Sequence, residues 1–392
     1  MHLSQRISGL DPSPTVALNA KAKELSASGR KILNFAVGEP DFGTDAKIID
    51  CAVNALKAGK TKYGPAGGGA AIRQAIVAKL ARDNNLSYKP DEIVVGIGAK
   101  EILFHIFLAT LNEGDEVLVP APYWVSYTAQ IKAAGAKPVV IPFEPGQTIT
   151  AQTIEKYASD KTAAIVINSP SNPSGAMLAP KDLKVLGEYL SKKDWWIVGD
   201  EIYEYLSYTE VHESLPKLVP ALKDRYLLVN GMSKGFAMTG WRVGYLAGPK
   251  EVTRLVKILQ SQSSTCLPPF IEEAATLALG EGKALMTEKI SALKARRDLA
   301  SSIVKKWSAV DLVEPAGAFY LFLDIRETLG NSSRFDREDS MSFSTMLLEE
   351  YHVAMVPGEA FGTPGFLRLS YAVDEEDLKE GLEKLHSALT SI

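Results

Sequence analysis

The side chains that could do chemistry in this sequence stand at the ends of predicted strands. Lys234 lies eight positions before Arg242, and Asp200 lies three positions before Tyr203. Asn172 belongs to a third polar segment, which also follows an apolar run. Because ligands of open parallel sheets bind outside the carboxyl ends of the strands, we expect these five side chains to meet at one site.

This set of side chains has the groups that a pyridoxal phosphate site requires. A lysine amine forms a Schiff base with the aldehyde, and burial near cations lowers its pKa so that it can act as nucleophile and base. A buried aspartate keeps the pyridine nitrogen protonated. Asparagine and tyrosine can donate to the phenolate oxygen, and arginine can bind the phosphate together with backbone N–H groups. The residues therefore predict pyridoxal 5'-phosphate as the cofactor, and no metal.

The elements that must position these residues form an alternating pattern. Longer segments of helical period, at residues 100–111, 125–134, 180–190 and 251–262, separate short apolar runs that are too continuous for a half-exposed sheet. The pattern predicts an α/β fold with a mostly parallel, seven-stranded sheet between helices. The predicted strands are residues 93–95, 117–119, 139–141, 164–167, 196–198 and 227–229, with 243–246 as an edge strand.

The two ends of the chain have a different pattern. Residues 1–46 are rich in loops and contain one helical segment, at 16–26. The C-terminal part has a long charged helix at 287–307, a strand at 319–323 and a final helix at 375–391. We therefore predict a large domain at 47–282, and a smaller α+β domain formed by 1–46 together with 283–392.

Composition narrows the classes of function. The chain has 392 residues, and its 43 Lys and Arg against 47 Asp and Glu give a net charge of −4, so no basic excess indicates a nucleic-acid partner. Two cysteines, Cys51 and Cys266, do not make a disulfide framework. The first residues lack the apolar segment of a signal peptide, and no run is long enough to span a bilayer. We expect a cytoplasmic protein with no membrane association.

One glycine-containing turn could be taken for a dinucleotide-binding motif. Gly96 and Gly98 follow a predicted strand and precede a helix, but the third glycine is replaced by Glu101. The turn still presents backbone N–H groups at a helix N-terminus, which suits a phosphate.

Eight short segments together resemble one known family. The chain is similar to the class I aminotransferases of fold type I, and to their bacterial aspartate aminotransferase subgroup, over nearly its whole length. Each segment alone is a weak signal, whereas their joint order is specific. The segments are VGEPDF at 37–42, KTKY at 60–63, PYWVSY at 122–127, NP at 172–173, DEIY at 200–203, SK at 233–234, MTGWR at 238–242 and RLSY at 368–371.

The resemblance implies roles for individual residues around the cofactor. Lys234 would be the Schiff-base lysine that moves the substrate proton, Asp200 would hold the ring nitrogen, and Tyr203 would bond the phenolate oxygen. Tyr63 would reach the phosphate of a neighbouring subunit, so the resemblance implies a homodimer with active sites at the interface. The implied cofactor-binding residues are Gly98, Ala99, Lys100, Trp124, Asn172, Asp200, Tyr203, Ser233, Lys234, Arg242 and Tyr63.

The resemblance also implies how substrates are bound. Arg368 would take the substrate α-carboxylate, with Gly38 on the other side. Lys100, Ser13 and Thr15 would read an acidic side chain, which favours aspartate and 2-oxoglutarate as substrates in two ping-pong half-reactions. The implied substrate-binding residues are Gly38, Trp124, Asn172, Arg368, Lys100, Ser13 and Thr15.

Several alternatives stay open at this point. Some members of the subgroup use prephenate and usually carry a lysine where this chain has Asp11. An aromatic amino-acid aminotransferase and a β-lyase on the same scaffold are further possibilities. A cofactor-binding transcription regulator would need an added basic DNA-binding region, for which residues 1–46 are too few.

Overall fold

The computed structural model describes residues 2–10, 12, 14–144, 146 and 148–392, with Pro14 described by its backbone alone. The helices are α1 Gln5–Ser8, α2 Pro14–Ala27, α3 Ala46–Lys57, α4 Ala70–Asn84, α5 Ala99–Thr110, α6 Ser126–Ala133, α7 Ala151–Glu155, α8 Pro180–Leu190, α9 Leu215–Leu218, α10 Lys250–Gln262, α11 Pro269–Glu281, α12 Thr287–Val304, α13 Arg326–Asn331, α14 Ser340–Tyr351 and α15 Glu375–Thr390. Short 3-10 helices lie at Pro90–Glu92, Pro220–Arg225, Thr239–Trp241, Gly282–Met286 and Gly358–Phe361.

The strands form three sheets in the described part of the chain. Their bounds are β1 Leu33–Asn34, β2 Ile93–Ile97, β3 Glu116–Pro120, β4 Lys137–Ile141, β5 Thr162–Asn168, β6 Trp196–Asp200, β7 Tyr226–Gly231, β8 Val243–Ala247, β9 Asp311–Val313, β10 Tyr320–Asp324, β11 Val353–Ala354, β12 Val356–Pro357 and β13 Phe366–Ser370.

The largest sheet has seven strands in the order β2-β8-β7-β6-β5-β3-β4. β3 pairs parallel to β4 and β5, and β6 pairs parallel to β5 and β7, whereas β8 runs antiparallel to both of its neighbours. The central strands are apolar and buried, as expected for a sheet that is covered on both faces. The predicted α/β architecture with a mostly parallel, seven-stranded sheet is confirmed.

One strand lies elsewhere than predicted. The segment at 243–246 becomes β8, which lies between β7 and β2 and not at an edge. The prediction of an edge position was wrong because the sequence of a short strand does not show whether it pairs with one neighbouring strand or with two. All five residues of β8 are buried, and Gly244 lies against the turn at Gly98 and Ala99, where an added Cβ would come within 2.2 Å of the Ala99 nitrogen.

Two smaller sheets connect the ends of the chain. β12, β13, β10 and β9 form an antiparallel sheet of four strands. β1 pairs parallel to β11, with Leu33 opposite Val353, so the N-terminal segment is tied to the C-terminal one. The division of the chain at residues 46/47 and 282/283 stays a prediction.

The helices show why these segments fold as they do. α3 is amphipathic, and the Asp45 carboxylate caps it by accepting from the Lys47 N–H at 2.9 Å. α15 begins in the same way, with Asp374 accepting from the Glu376 N–H. Of the helices in the described residues, none combines the length and the apolar character that crossing a membrane requires.

Candidate functional site

A cavity of about 460 Å³ lies at the carboxyl ends of β5 and β6. It collects side chains from the large sheet, from α2, from the start of α5 and from β10 and β13. Of the residues predicted from the sequence, the following line it: Thr15, Gly38, Ala99, Lys100, Trp124, Asn172, Asp200, Tyr203, Ser233, Lys234, Arg242 and Arg368.

Lys234 lies three residues beyond the end of β7 and lines the cavity. Nζ donates a hydrogen bond to the carbonyl oxygen of Gly38. Desolvation, together with the charges of Arg368 and Arg242, lowers the pKa of Lys234 to about 8, although the Glu39 and Asp200 carboxylates oppose this shift. The amine therefore loses its proton much more readily than an ordinary lysine, as a nucleophile or a base must.

Asp200 ends β6 and is buried. Tyr127 donates its hydroxyl to Oδ2 at 2.5 Å, and the Ile202 N–H donates to Oδ1 at 3.3 Å. Burial raises the pKa of Asp200 to about 6, although both hydrogen bonds oppose the rise. Among the described residues, no cationic side chain forms a hydrogen bond with this carboxylate, and the charge of Lys234 offsets its charge only in part.

The turn before α5 forms a cradle for an anion. Gly98 caps the helix with φ of 82°, and an added Cβ there would lie 2.4 Å from Arg242 Nη2. Arg242 is itself fixed, because its Nη1 donates to the Thr239 carbonyl oxygen at 2.9 Å. The first N–H groups of a helix have no intrahelical acceptor. Ala99, Ser233 and the Arg242 guanidinium thus meet where a phosphate could bind.

Arg368, on β13, offers a second anion-binding group. It is buried, its Nη1 donates to Asn172 Oδ1 at 3.1 Å, and its Nη2 donates to the Ala36 carbonyl oxygen at 2.6 Å. Within the described residues, its Nε has no acceptor. Burial lowers the pKa of Arg368 from its ordinary value. A buried guanidinium with an unused donor is suited to a carboxylate ligand.

Two of the three residues expected to read a substrate side chain, Lys100 and Thr15, line the cavity. Lys100 Nζ is 4.9 Å from the centroid of the Trp124 ring. Lys100 is exposed rather than buried, although partial desolvation, followed by Arg242, lowers its pKa. Thr15 lies on the α2 side of the cavity. Ser13 lies outside the described residues.

Tyr63 and Gly98 are the other predicted residues that do not line the cavity. Gly98 lies directly beneath it, against Arg242. Tyr63 lies in the segment between α3 and α4 and is 88 % exposed. The fold of one copy therefore does not bring Tyr63 to the site.

Several residues that line the cavity have no role in the sequence analysis, and four of them carry hydroxyl or amide groups of interest. They are Tyr127, which bonds Asp200; Tyr320, whose hydroxyl lies 2.9 Å from that of Tyr203; and Asn19 and Asn168, which contribute amides. Tyr127 lies within the segment at 122–127, and Asn168 within the polar run before Asn172, so both had a local signal. Tyr320 and Asn19 come from distant parts of the chain and had none.

A buried polar network supports the segment that carries Asp200 and Tyr203. Glu201 accepts hydrogen bonds from His212, Ser214 and Tyr226, and Glu204 forms a buried ion pair with Lys79. Burial alone would lower the pKa of His212, but the Glu201 carboxylate outweighs burial and raises it. Glu201, Glu204 and His212 lie close enough together to ligate a metal ion, yet their charges already have partners within the protein.

Comparisons with known proteins identify the family of the chain. Residues 30–385 match the family model described as aminotransferase class I and II. A probable aspartate/prephenate aminotransferase of Aquifex aeolicus is 43% identical, over 100% of this chain and 99% of the relative. An aspartate aminotransferase of Geobacillus stearothermophilus is 40% identical, over 98% of each chain.

Solved structures give the same result. The aspartate aminotransferase of Rhizobium meliloti superimposes with a TM-score of 0.94 at 36% identity, over 100% of this chain and 99% of that one. The Thermus thermophilus aspartate aminotransferase with maleate gives a TM-score of 0.92 at 38% identity, over 99% and 100% of the two chains. The family model matches most of the chain, the relatives are about 40% identical over their full length, and the cavity has the expected side chains. The chain therefore belongs to the class I and II aminotransferases and is an enzyme of the transaminase type.

Proposed function

We propose that this aminotransferase binds pyridoxal 5'-phosphate at Lys234 and transfers amino groups between aspartate and 2-oxoglutarate. The observation that carries the proposal is that Lys234 and Asp200 line the same cavity and that their pKa values are shifted toward each other. The lysine has a pKa lowered to about 8, and the buried aspartate has a pKa raised to about 6 with no cationic hydrogen-bond partner among the described residues. A cofactor with an aldehyde and a cationic ring nitrogen satisfies both groups.

The other cavity residues fit the remaining parts of this cofactor. The Gly98 cradle and the Arg242 guanidinium suit its phosphate. Asn172 and Tyr203 are placed to donate to its phenolate oxygen, and burial raises the pKa of Tyr203 well above its ordinary value, which keeps the hydroxyl protonated as a donor. Trp124 supplies an aromatic face in the same cavity.

When bound, the cofactor supplies an aldehyde that joins to amines and a cationic ring that stabilises negative charge on the neighbouring carbon. Arg368 binds the α-carboxylate of the amino acid and thereby orients its α-carbon. Lys234 Nζ would act as the base that takes up the α-proton and returns it on the side of the former aldehyde group. Asp200 would hold the proton on the ring nitrogen. The oxo acid then leaves before the second oxo acid enters, so the kinetics are ping-pong.

The charge of Asp200 yields a stability prediction. Because the folded-state pKa of about 6 lies above the ordinary value, ionising this group costs free energy, and stability falls as pH rises toward 6. In the cofactor-free protein, we expect Asp200→Asn to raise the free energy of unfolding, with a gain about 1 to 2 kcal/mol larger at pH 7.5 than at pH 5. Urea unfolding at both pH values measures this difference. An equal gain at the two pH values would contradict a charge that is offset only in part.

The choice of aspartate rests on Lys100 and on named relatives. Lys100 and Thr15 line the same cavity as Arg368, so the side chain of a substrate that Arg368 holds could reach them. The relatives from Geobacillus stearothermophilus and Bacillus subtilis are aspartate aminotransferases. Prephenate stays the second candidate acceptor, because the Nitrosomonas europaea relative, at 38% identity, is an aspartate/prephenate aminotransferase.

Replacing Lys100 with alanine tests the substrate preference. A hydrogen bond to a charged group contributes about 1.5 to 3 kcal/mol, so we expect kcat/KM for aspartate to fall about tenfold to a hundredfold. The value for phenylalanine should change less than about threefold. Lys132→Ala, which removes an exposed lysine from α6, is the matched control and should change neither. Equal losses for aspartate and phenylalanine would show that Lys100 does not bind the acidic side chain of the substrate. Separate assays with prephenate test whether it is a second amino-group acceptor.

We also infer a homodimer. α3 leaves Ile49, Val53 and Leu56 exposed on one face, and Tyr63 follows this helix with its ring almost wholly exposed. A second copy seated on this face would bury them and receive Tyr63 at its phosphate cradle. We expect sedimentation to give twice the chain mass, and Tyr63→Phe to weaken cofactor binding about tenfold without dissociating the dimer. A monomer with full cofactor affinity would contradict this inference. The two unpaired cysteines fit a cytoplasmic location.

The decisive experiment is absorbance spectroscopy of the purified protein supplied with cofactor. Bound cofactor should colour the protein, aspartate should change the spectrum in a single turnover with release of oxaloacetate, and borohydride should trap an adduct on Lys234. A protein that stays colourless, or an adduct on another lysine, would overturn the proposal. Release of ammonia and pyruvate in place of oxaloacetate would indicate a lyase.

A further inference from the structure

A pair of buried tyrosines joins the two halves of the cavity. Tyr203 follows β6 of the large sheet, and Tyr320 begins β10 of the four-stranded sheet. Their hydroxyl oxygens are 2.9 Å apart, and their rings meet edge to face with centroids 5.9 Å apart. Both side chains are buried and both line the cavity. This contact spans 117 positions of sequence.

Tyr320 also contacts two other parts of the site. The Arg368 guanidinium lies 4.5 Å from the centroid of the Tyr320 ring, within the range of a cation–π interaction. The Tyr320 hydroxyl lies close to Gly38, where an added Cβ would come within 2.9 Å of it. Gly38 is the residue whose carbonyl oxygen accepts from Lys234. Tyr320 therefore contacts Tyr203 and Arg368 directly and lies beside Gly38, the hydrogen-bond partner of Lys234.

We propose that Tyr320 is a positioning residue, which directs the Tyr203 hydroxyl proton toward the phenolate oxygen of the cofactor and holds the Arg368 guanidinium ready for the substrate carboxylate. This proposal rests on the proposed function. Tyr320 acts through Tyr203 and Arg368 and takes no part in bond making itself.

The direction of the hydrogen bond follows from counting protons. Each hydroxyl has one proton and can also accept. If Tyr203 donates to the cofactor, its proton is not available to Tyr320, so Tyr320 must be the donor in the pair. A hydroxyl that accepts one hydrogen bond becomes a better donor in the next, because such chains polarise one another. The charged or titratable groups acting on Tyr203, besides Tyr320, are Arg368 and Asp200.

The ring has a separate function from the hydroxyl. Arg368 uses its two terminal nitrogens on Asn172 and Ala36, and these contacts fix one edge of the guanidinium. The Tyr320 ring supports its face, and the Phe361 ring lies 5.2 Å from the same group. A flat cation held on its face and edge needs little reordering to bind a carboxylate. Removing the hydroxyl and removing the ring should therefore have different effects.

Two variants of the holoenzyme separate these effects. In Tyr320→Phe, the ring stays and the donor to Tyr203 is lost, so the bound phenolate oxygen is stabilised less. The pH midpoint of the cofactor absorbance should rise by about 0.5 to 1 unit, which corresponds to one hydrogen bond. The dissociation constant of succinate, an unreactive dicarboxylate, should change less than about twofold. In Tyr320→Leu, the midpoint should rise likewise and succinate should bind at least about fivefold more weakly.

Tyr371→Phe is the matched control. Tyr371 is a buried tyrosine whose hydroxyl donates to the Ala318 carbonyl oxygen at 3.2 Å, outside the cavity. It should leave both the absorbance midpoint and succinate binding unchanged. A Tyr320→Phe midpoint equal to that of the unmodified enzyme would overturn the assignment to Tyr203, and unchanged succinate binding in Tyr320→Leu would overturn the assignment to Arg368. Failure of the proposed function is distinguishable, because the unmodified protein would then bind no cofactor at all.

Discussion

Replacing Lys234 with alanine is expected to lower the rate of amino-group transfer by about ten-thousandfold or more. In the proposed function the side chain supplies both the covalent attachment to the cofactor and the base that moves the α-proton, and a positioned base alone contributes about a hundredfold to ten-thousandfold. Desolvation lowers the pKa of this amine to about 8, so no neighbouring group with an ordinary lysine pKa could replace it at neutral pH. Single-turnover absorbance with aspartate measures the loss.

Two controls separate chemistry from structure at Lys234. Lys234→Arg keeps a cationic donor for the Gly38 carbonyl oxygen but cannot lose its proton, so it should be as inactive as the alanine variant. Lys289 holds the same segment from α12 by donating to the Gly43 carbonyl oxygen at 2.7 Å, and Lys289→Ala should stay within about threefold of full activity. Activity retained in Lys234→Arg would show that the lysine acts by holding residues 38–43 and not as a base.

The sheet and the centre of the site could be predicted from the sequence because their signals are local. Continuous apolar runs mark strands that are buried on both faces, and polar residues directly after them must collect at one edge of a parallel sheet. Asp200, at the end of β6, and Asn172, just beyond β5, meet for this reason. Arg368 is different, because its place depends on the packing of β13 against β10, and only the family resemblance indicated it.

The residues that sequence reasoning missed depend on contacts between distant segments. The Tyr127 hydroxyl reaches Asp200 across 73 positions, and Tyr320 reaches Tyr203 across 117. In each case the residue is an ordinary core aromatic by its local pattern, and its hydroxyl acquires a partner only when two elements pack together. The strand β8 was misplaced for the same reason, since pairing on a second side is a property of the whole sheet. The role proposed for Tyr63 would depend on a second chain altogether.

Replacing Arg368 with leucine is expected to separate substrate binding from stability. The buried guanidinium has an unused Nε–H, and a carboxylate bound to it would form a charge-assisted pair away from water. Truncating one partner of such a pair costs about 2 to 5 kcal/mol, so kcat/KM for aspartate and for 2-oxoglutarate should fall by a factor between about thirty and a few thousand. Succinate binding should fall by a similar factor. Lys in place of Arg368 should restore only part of the loss, because it cannot donate in a fork.

Arg368→Leu should change the free energy of unfolding only a little. The contrast between this small effect and the large loss of substrate binding is the sharper test. A cation that is buried without a counter-charge opposes folding, as the lowered pKa of Arg368 indicates, so its removal offsets the loss of its bonds to Asn172 and Ala36. Arg297→Leu provides the comparison: this buried arginine of α12 bonds Asp298 and the Pro315 carbonyl oxygen away from the cavity, and its loss should destabilise the fold while substrate affinity is kept. If Arg368→Leu instead lowers the melting temperature as much as Arg297→Leu and leaves succinate binding intact, Arg368 is a structural residue, and the substrate carboxylate must bind elsewhere in the cavity.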